Sequence, residues 1–184
     1  YHAEAAAALA RLGIATPRAV HDDPEAFERL FWMPDEGTYA LAVGGDGAVS
    51  RIVTSNAGHL LGSPLLPPQR ADAVADRLFG DDLWTPVGIR THSSADPYFD
   101  GDSYHRGSIW PHDNWVIHEG LRAVGRHDDA RRVRHAVLDA LARNSQLTLA
   151  EARALAASPH LSPGTLEALA VDSRWDRDEE LWVA

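Results

Sequence analysis

The sequence predicts an all-α body of helical hairpins that carries one small β-hairpin. Three observations lead there. Segments of roughly ten to fifteen residues recur with apolar side chains at helical spacing, each bounded by start and stop signals. Only one pair of strand-like runs is joined by a tight, glycine-rich turn. The apolar fraction of 45% and the interspersed charge of 24% suit a packed core and argue against disorder.

The elements follow in order. Residues 3–12 read as a helix ended by Gly13. Asp22-Asp23-Pro24 is a start signal, with Asp23 as N-cap and Pro24 at the first helical position. The helix it opens carries Phe27, Leu30 and Phe31 on one face and stops before Pro34. Residues 39–43 and 49–54 form the β-hairpin, turned by Gly44-Gly45-Asp46-Gly47. Pro67-Pro68 opens a helix with Ala71, Val74, Ala75 and Leu78 on one face and Gly80 at its end. Residues 81–109 read as a long loop, and loops of that length in compact domains are usually functional or disordered. The aromatics Trp84, Tyr98, Phe99, Tyr104 and Trp110 argue for order. Pro111 starts the next helix, which ends before Gly125, and Asp128 caps another that runs to about Arg143. Beyond a boundary near residue 145, Thr148-x-x-Glu151 is a capping box for a short helix, and Ser162-Pro163 starts a last one.

Charge and composition exclude several classes. The net charge is −10 and every basic residue is arginine, with no basic block of five, so the clustered positive footprint of a nucleic-acid binder is absent. There is no cysteine, which removes disulfides and thiolate metal sites. No apolar run reaches the length of a membrane span and no signal peptide is visible, so neither membrane nor nucleic acid is expected as a partner and a cytoplasmic protein is expected. The chain opens on Tyr1 with helical pattern almost at once, which suggests a longer parent chain.

The segment that carries chemistry is Tyr104-His105-Arg106-Gly107-Ser108-Ile109-Trp110-Pro111-His112-Asp113. Asp113 falls in the first turn of a helix and shares a face with Ile117, Leu121 and Val124, so its carboxylate lies on the buried side and needs partners. The helix dipole and the free first-turn amides stabilise it as an anion. Such a carboxylate accepts strong hydrogen bonds from sugar hydroxyls. Trp110 and Tyr104 offer flat faces to a sugar ring and polar tips to its hydroxyls, and Gly107 lets backbone approach a ligand. The plainer alternative is an ordinary first-turn acid beside a core tryptophan. A metal site built from His105, His112 and Asp113 lacks the i, i+4 histidine spacing of zinc helices. Ser55 and Ser108 lack the context of a nucleophilic serine. His127 and His135 read as solvated.

Residues 32–125 resemble the glucosidase domain of bacterial glycogen-debranching enzymes, the amylo-α-1,6-glucosidase type. Four stretches carry the resemblance in order: Trp32-x-x-Asp35-x-Gly37-x-Tyr39-Ala40; Thr54-Ser55-Asn56-Ala57-Gly58-His59-Leu60-Leu61; Gly88-Ile89-Arg90-Thr91; and the 104–113 segment continued by Asn114. The resemblance implies that residues 1–144 are part of an (α/α)6 toroid with the site where helix starts and loops converge. It implies that Tyr104, His105, Trp110, His112 and Asp113 line a sugar site, that Asn56, His59 and Arg90 shape or border it, and that the partner is an α-glucan or oligosaccharide. No cofactor or metal is implied. Hydrolysis generally uses two carboxyl groups flanking the bond. In that family the acid lies upstream of the hairpin and the base downstream of the Trp-Pro-His-Asp helix, and neither motif is found here. The catalytic residues are therefore unknown and expected outside the chain, leaving it inactive alone. Asp100 and Asp102 are the remaining candidates within it, in a loop where acids commonly serve local turns.

Residues 155–172 resemble one unit of a variant leucine-rich repeat, which implies either an array that continues or a tail that folds back on the body. A tail of this kind, with acid and base missing, also suits a non-enzymatic helical interaction module. Apolar faces without their toroid neighbours would favour self-association.

Overall fold

The computed structural model describes residues 2–14 and 24–144. The expected cap at Asp23, the boundary near 145, the two short helices after it and the repeat-like unit lie outside the described residues.

The described elements are a helical body with a few very short strands. Helix α1 spans His2–Arg11 and closes at Gly13. Helix α2 spans Pro24–Phe31, with proline at the position where its missing amide costs nothing. Phe27 stacks on Phe31 at 4.8 Å and on Tyr39 at 5.2 Å. Leu30, expected on the same face, is 52% exposed. Successive residues turn about 100° around a helix, and the contact stripe centres on Phe27 and Phe31.

The single hairpin expected over residues 39–54 is a correction. Three two-stranded pairs are present among the described residues. Strand β1 (Trp32–Met33) pairs with β2 (Thr38–Tyr39), so Tyr39 belongs to a different pair from the glycine turn. Strands β3 (Ala42–Val43) and β4 (Val49–Ser50) form the expected hairpin in shortened form, with Ala42 opposite Ser50. Asp46 accepts the Ala48 amide at 3.0 Å and shapes its turn. Thr54 instead bridges to His92. Strands β5 (Trp84–Thr85) and β6 (Gly88–Ile89) form a third pair inside the stretch read as loop. Strands of two residues have no alternation to read, which is why the pattern missed them.

After a 3-10 helix at Ser55–Leu60 comes α3 (Pro68–Leu78), whose Val74, Ala75 and Leu78 are buried as expected. Helix α4 spans Pro111–Ala123 and Gly125 follows it at φ 82°. Helix α5 spans His127–Asn144. Asp128 is not its cap. The Arg126 carbonyl accepts the Ala130 amide at 3.0 Å, which makes Arg126 the capping position and places Asp128 in the first turn.

The 3-10 helix and α4 meet almost backbone to backbone. A Cβ on Gly120 would lie 2.7 Å from Leu61 Cβ and 2.8 Å from the Leu61 carbonyl oxygen, and a Cβ on Gly58 would lie 2.7 Å from Ile117 Cγ1. Around this contact Met33, Val74, Leu78, Leu83, Ile89, Ile117, Leu121 and Val133 form one buried core. Arg126 ties α3 to the α4–α5 corner through Asp72 at 3.1 Å, Asp76 at 2.6 Å and Asp129 at 2.7 Å. Glu28 links α2 to the next layer: it accepts from the Tyr39 hydroxyl and from Arg70, each at 2.6 Å, while Arg70 lies 3.9 Å over the Trp32 ring. Burial and then the Glu28 carboxylate push the Tyr39 hydroxyl well above its usual range. Among the described residues no helix is long and apolar enough to cross a membrane.

Candidate functional site

The 3-10 helix, the start of α4 and the loop between β6 and α4 enclose a cleft of about 770 Å³. Asn56 and His59 reach it from the 3-10 helix, and Trp110, His112 and Asp113 from the start of α4. His105 reaches it from the loop. These residues are thus brought together from positions far apart in the chain. Tyr104 and Arg90 stand outside the lining. Tyr104 is 58% exposed and packs edge-on against Trp110 with ring centroids 4.2 Å apart. Arg90 sits with its guanidinium 5.5 Å from the centre of the Phe99 ring, and its amide bonds the Leu83 carbonyl at 2.9 Å.

Asp113 follows from local structure. Pro111 takes the first helical position, which puts Asp113 at the third, where exposed amides and the helix dipole favour an anion. Its side chain is only 14% exposed, and the partner such a carboxylate requires is His59, whose Nε2 lies 2.5 Å from Oδ1. The other oxygen, Oδ2, is buried with no hydrogen-bond partner among the described residues. The pair holds the carboxylate in one orientation and leaves one acceptor open.

The aromatic wall is self-supporting. His105 lies nearly parallel to Trp110, with an interplanar angle of 13° and a centroid distance of 5.6 Å. The indole N–H of Trp110 donates to the Tyr104 carbonyl and to Ser108 Oγ, both at 2.9 Å. The indole tip expected to meet sugar hydroxyls is therefore used internally.

Asn114 locks this wall to the rest of the fold. It is fully buried. Its Oδ1 accepts the Ile89 amide at 2.7 Å, and its Nδ2 donates to the Ile89 and Trp110 carbonyls, each at 3.0 Å. The side chain thus pairs with β6 as a neighbouring strand would. Gly88 is required beside it, at φ 132° and with a Cβ position only 2.8 Å from Asn114 Oδ1.

The cleft is also lined by Thr91, His92, Arg106, Leu41, Ile52 and Tyr98, none of which was expected from the sequence as a sugar-site residue. Ser55, part of the 54–61 stretch and set aside as a nucleophile, lines it too. His92 is 5% exposed and faces Asp96, with Nε2 3.2 Å from Oδ1. The Tyr98 amide and then His92 hold the Asp96 carboxyl below its usual range. Behind His92, Ser93 donates to Asp82, which Arg77 grips through both carboxylate oxygens at 2.7 and 2.8 Å. That grip holds the Asp82 carboxyl at about 2. The nearest sequence signal for this wall is the 88–91 stretch, which stops one residue short of His92.

Asp100 has a local task. It accepts from Arg106 at 3.0 Å and from the Asp102 amide at 3.1 Å, and so closes the 100–106 turn. Among the described residues no three His, Asp or Glu side chains come together as a metal set.

Solved structures of known proteins share this fold. The solved structure of the GH63 mannosylglycerate hydrolase from Thermus thermophilus in complex with Tris and D-glycerate is 20% identical. It matches with a TM-score of 0.62 over 90% of this chain and 40% of that chain. The same hydrolase in complex with glucose is 21% identical, with a TM-score of 0.55 over 80% of this chain and 37% of that one. An uncharacterized conserved protein from the same organism is 24% identical, with a TM-score of 0.57 over 66% and 30% of the two chains. The chain thus spans less than half the length of the solved structures it matches, and these likenesses concern the fold. No curated protein matches the chain. The family model that matches describes the mannosylglycerate hydrolase MGH1-like glycoside hydrolase domain and covers residues 4–154. On that match, the chain belongs to the MGH1-like glycoside hydrolase domain family.

Proposed function

We propose that this chain forms the sugar-binding part of a glycoside hydrolase of (α/α)6 architecture, seating a hexose unit of an α-linked glycoside without breaking the bond itself. The observation that carries the reading is Asp113: a carboxylate fixed by His59 at 2.5 Å, with its second oxygen buried and open, in a cleft walled by Trp110 and His105. A sugar ring offers what this arrangement lacks. Its C–H face packs on the indole, and one of its hydroxyls donates to Oδ2. The carboxyl pair that hydrolysis requires is not assembled among the described residues lining the cleft, where Asp113 is the only acid.

The motif resemblance favours a glucosyl unit of an α-glucan. The structures similar in fold were solved with glucose or D-glycerate, which favours a short glycoside with an acidic aglycone. Calorimetric titration of the chain with isomaltose, maltotriose and mannosylglycerate separates the two ligand classes. Saturable binding of at least one of them, lost in Asp113→Asn, is the expected result. No binding of any sugar at millimolar concentration contradicts the reading, and release of glucose from isomaltose by the isolated chain contradicts the absence of turnover.

A further inference from the structure

Two residues that line the cleft each hold a buried oxygen with no hydrogen-bond partner among the described residues: Asp113 with its Oδ2 and Ser55 with its Oγ. Ser55 is fully buried, lines the cleft and is fixed by its backbone, whose amide bonds the Thr91 carbonyl at 3.3 Å. The other buried serines among the described residues are engaged. Ser93 donates to Asp82 and accepts from the Ala95 amide at 3.1 Å. Ser108 donates to the Tyr104 carbonyl at 2.5 Å and accepts from the Trp110 indole at 2.9 Å. Buried hydroxyls nearly always find a partner, so one that lines a cleft without a protein partner calls for an explanation.

We propose that Ser55 is a ligand-binding residue of this cleft, and that Ser55 Oγ and Asp113 Oδ2 together bind hydroxyls of one neutral polyhydroxy ligand. The proposal rests on the sugar-site reading above and deepens it. Asp113 Oδ2 only accepts, so the ligand must donate there. Ser55 both donates and accepts. A sugar hydroxyl satisfies both positions. A carboxylate cannot donate to Oδ2, and both carboxylate and phosphate are repelled by the Asp113 charge. The end of the ligand held here is therefore an unmodified hydroxyl edge, and any acidic group of the substrate lies elsewhere.

The test compares the full chain with Ser55→Ala and Ser55→Cys by calorimetric titration with glucose, and by thermal unfolding of the free proteins. A hydroxyl reserved for ligand contributes nothing to the free fold. Both variants should keep the parent melting temperature while binding glucose about 5- to 10-fold more weakly, and inorganic phosphate should not compete in the parent. Three results overturn the proposal: affinity unchanged in both variants, phosphate competing with glucose, or melting temperature falling by several degrees in both. Unchanged affinity in the Ser55 variants alongside binding abolished by Asp113→Asn would remove Ser55 and leave the sugar site standing. A parent that binds no sugar would remove both.

Discussion

At Asp113 the chemistry depends on a partner 54 residues away. The helix start was legible from Trp110-Pro111, and so was the need for a partner. Which side chain meets the carboxylate comes from tertiary packing, and only the resemblance suggested His59. Asp113→Asn keeps the shape and removes the charge, so sugar affinity should fall at least about tenfold, as for loss of a charge-assisted hydrogen bond. Calorimetry checks this. Asn114 makes a complementary case at the same scale. Its bracket around Ile89 and Trp110 depends on both ends of the amide. Asn114→Asp loses the two donated bonds and buries a charge, and should destabilise the fold by about 2–4 kcal/mol in urea unfolding. In the sequence Asn114 is only the residue after a motif; nothing local shows that its side chain completes a strand pair 25 positions back.

Among the elements, the contact between the 3-10 helix and α4 sets the geometry of the cleft, because it places His59 opposite Asp113. The approach is closest at Gly120, where an added methyl meets the backbone of Leu61 as well as its side chain. At Gly58 the added methyl meets side-chain ends of Ile117 and Leu78, which can yield. Gly120→Ala should therefore cost about 2–3 kcal/mol despite alanine's better helix propensity, and Gly58→Ala less. Equilibrium unfolding of the two variants gives the order. Long helices with capping and punctuation were readable: α3 and α4 lie within a residue or two of their expected limits. The two-residue strands were not, and neither was the start of α5, where the Arg126 carbonyl takes the place expected for Asp128. Pairing between residues as distant as Thr54 and His92 leaves no local period to find.

For the whole molecule, His118 and Asp82 contribute to the response to acid. Burial lowers the pKa of His118 from its usual 6.5, against the opposing effect of its bond to the Ala130 carbonyl. The unfolded chain then binds the proton more readily, so stability is full above about 6.5 and falls as pH drops below it. Asp82 titrates at about 2 in the fold against a usual 3.8. Its contribution is fully present above 3.8 and is lost as pH falls toward 2. The urea midpoint should show two downward steps on acidification, and His118→Gln should remove the upper one. The exposed Leu41, Tyr98 and Tyr104 lie at or beside the cleft mouth, so apolar self-association is expected to be weakened by bound sugar, which light scattering can follow. The central claim is that the Asp113–His59 pair and the Trp110 face hold a sugar. Its most direct test is tryptophan fluorescence during titration with glucose and isomaltose, in the parent chain and in Trp110→Ala and Asp113→Asn. A saturable change in the parent that disappears in both variants is the predicted result. A parent signal that does not respond to either sugar, or one that survives in both variants, would contradict the account.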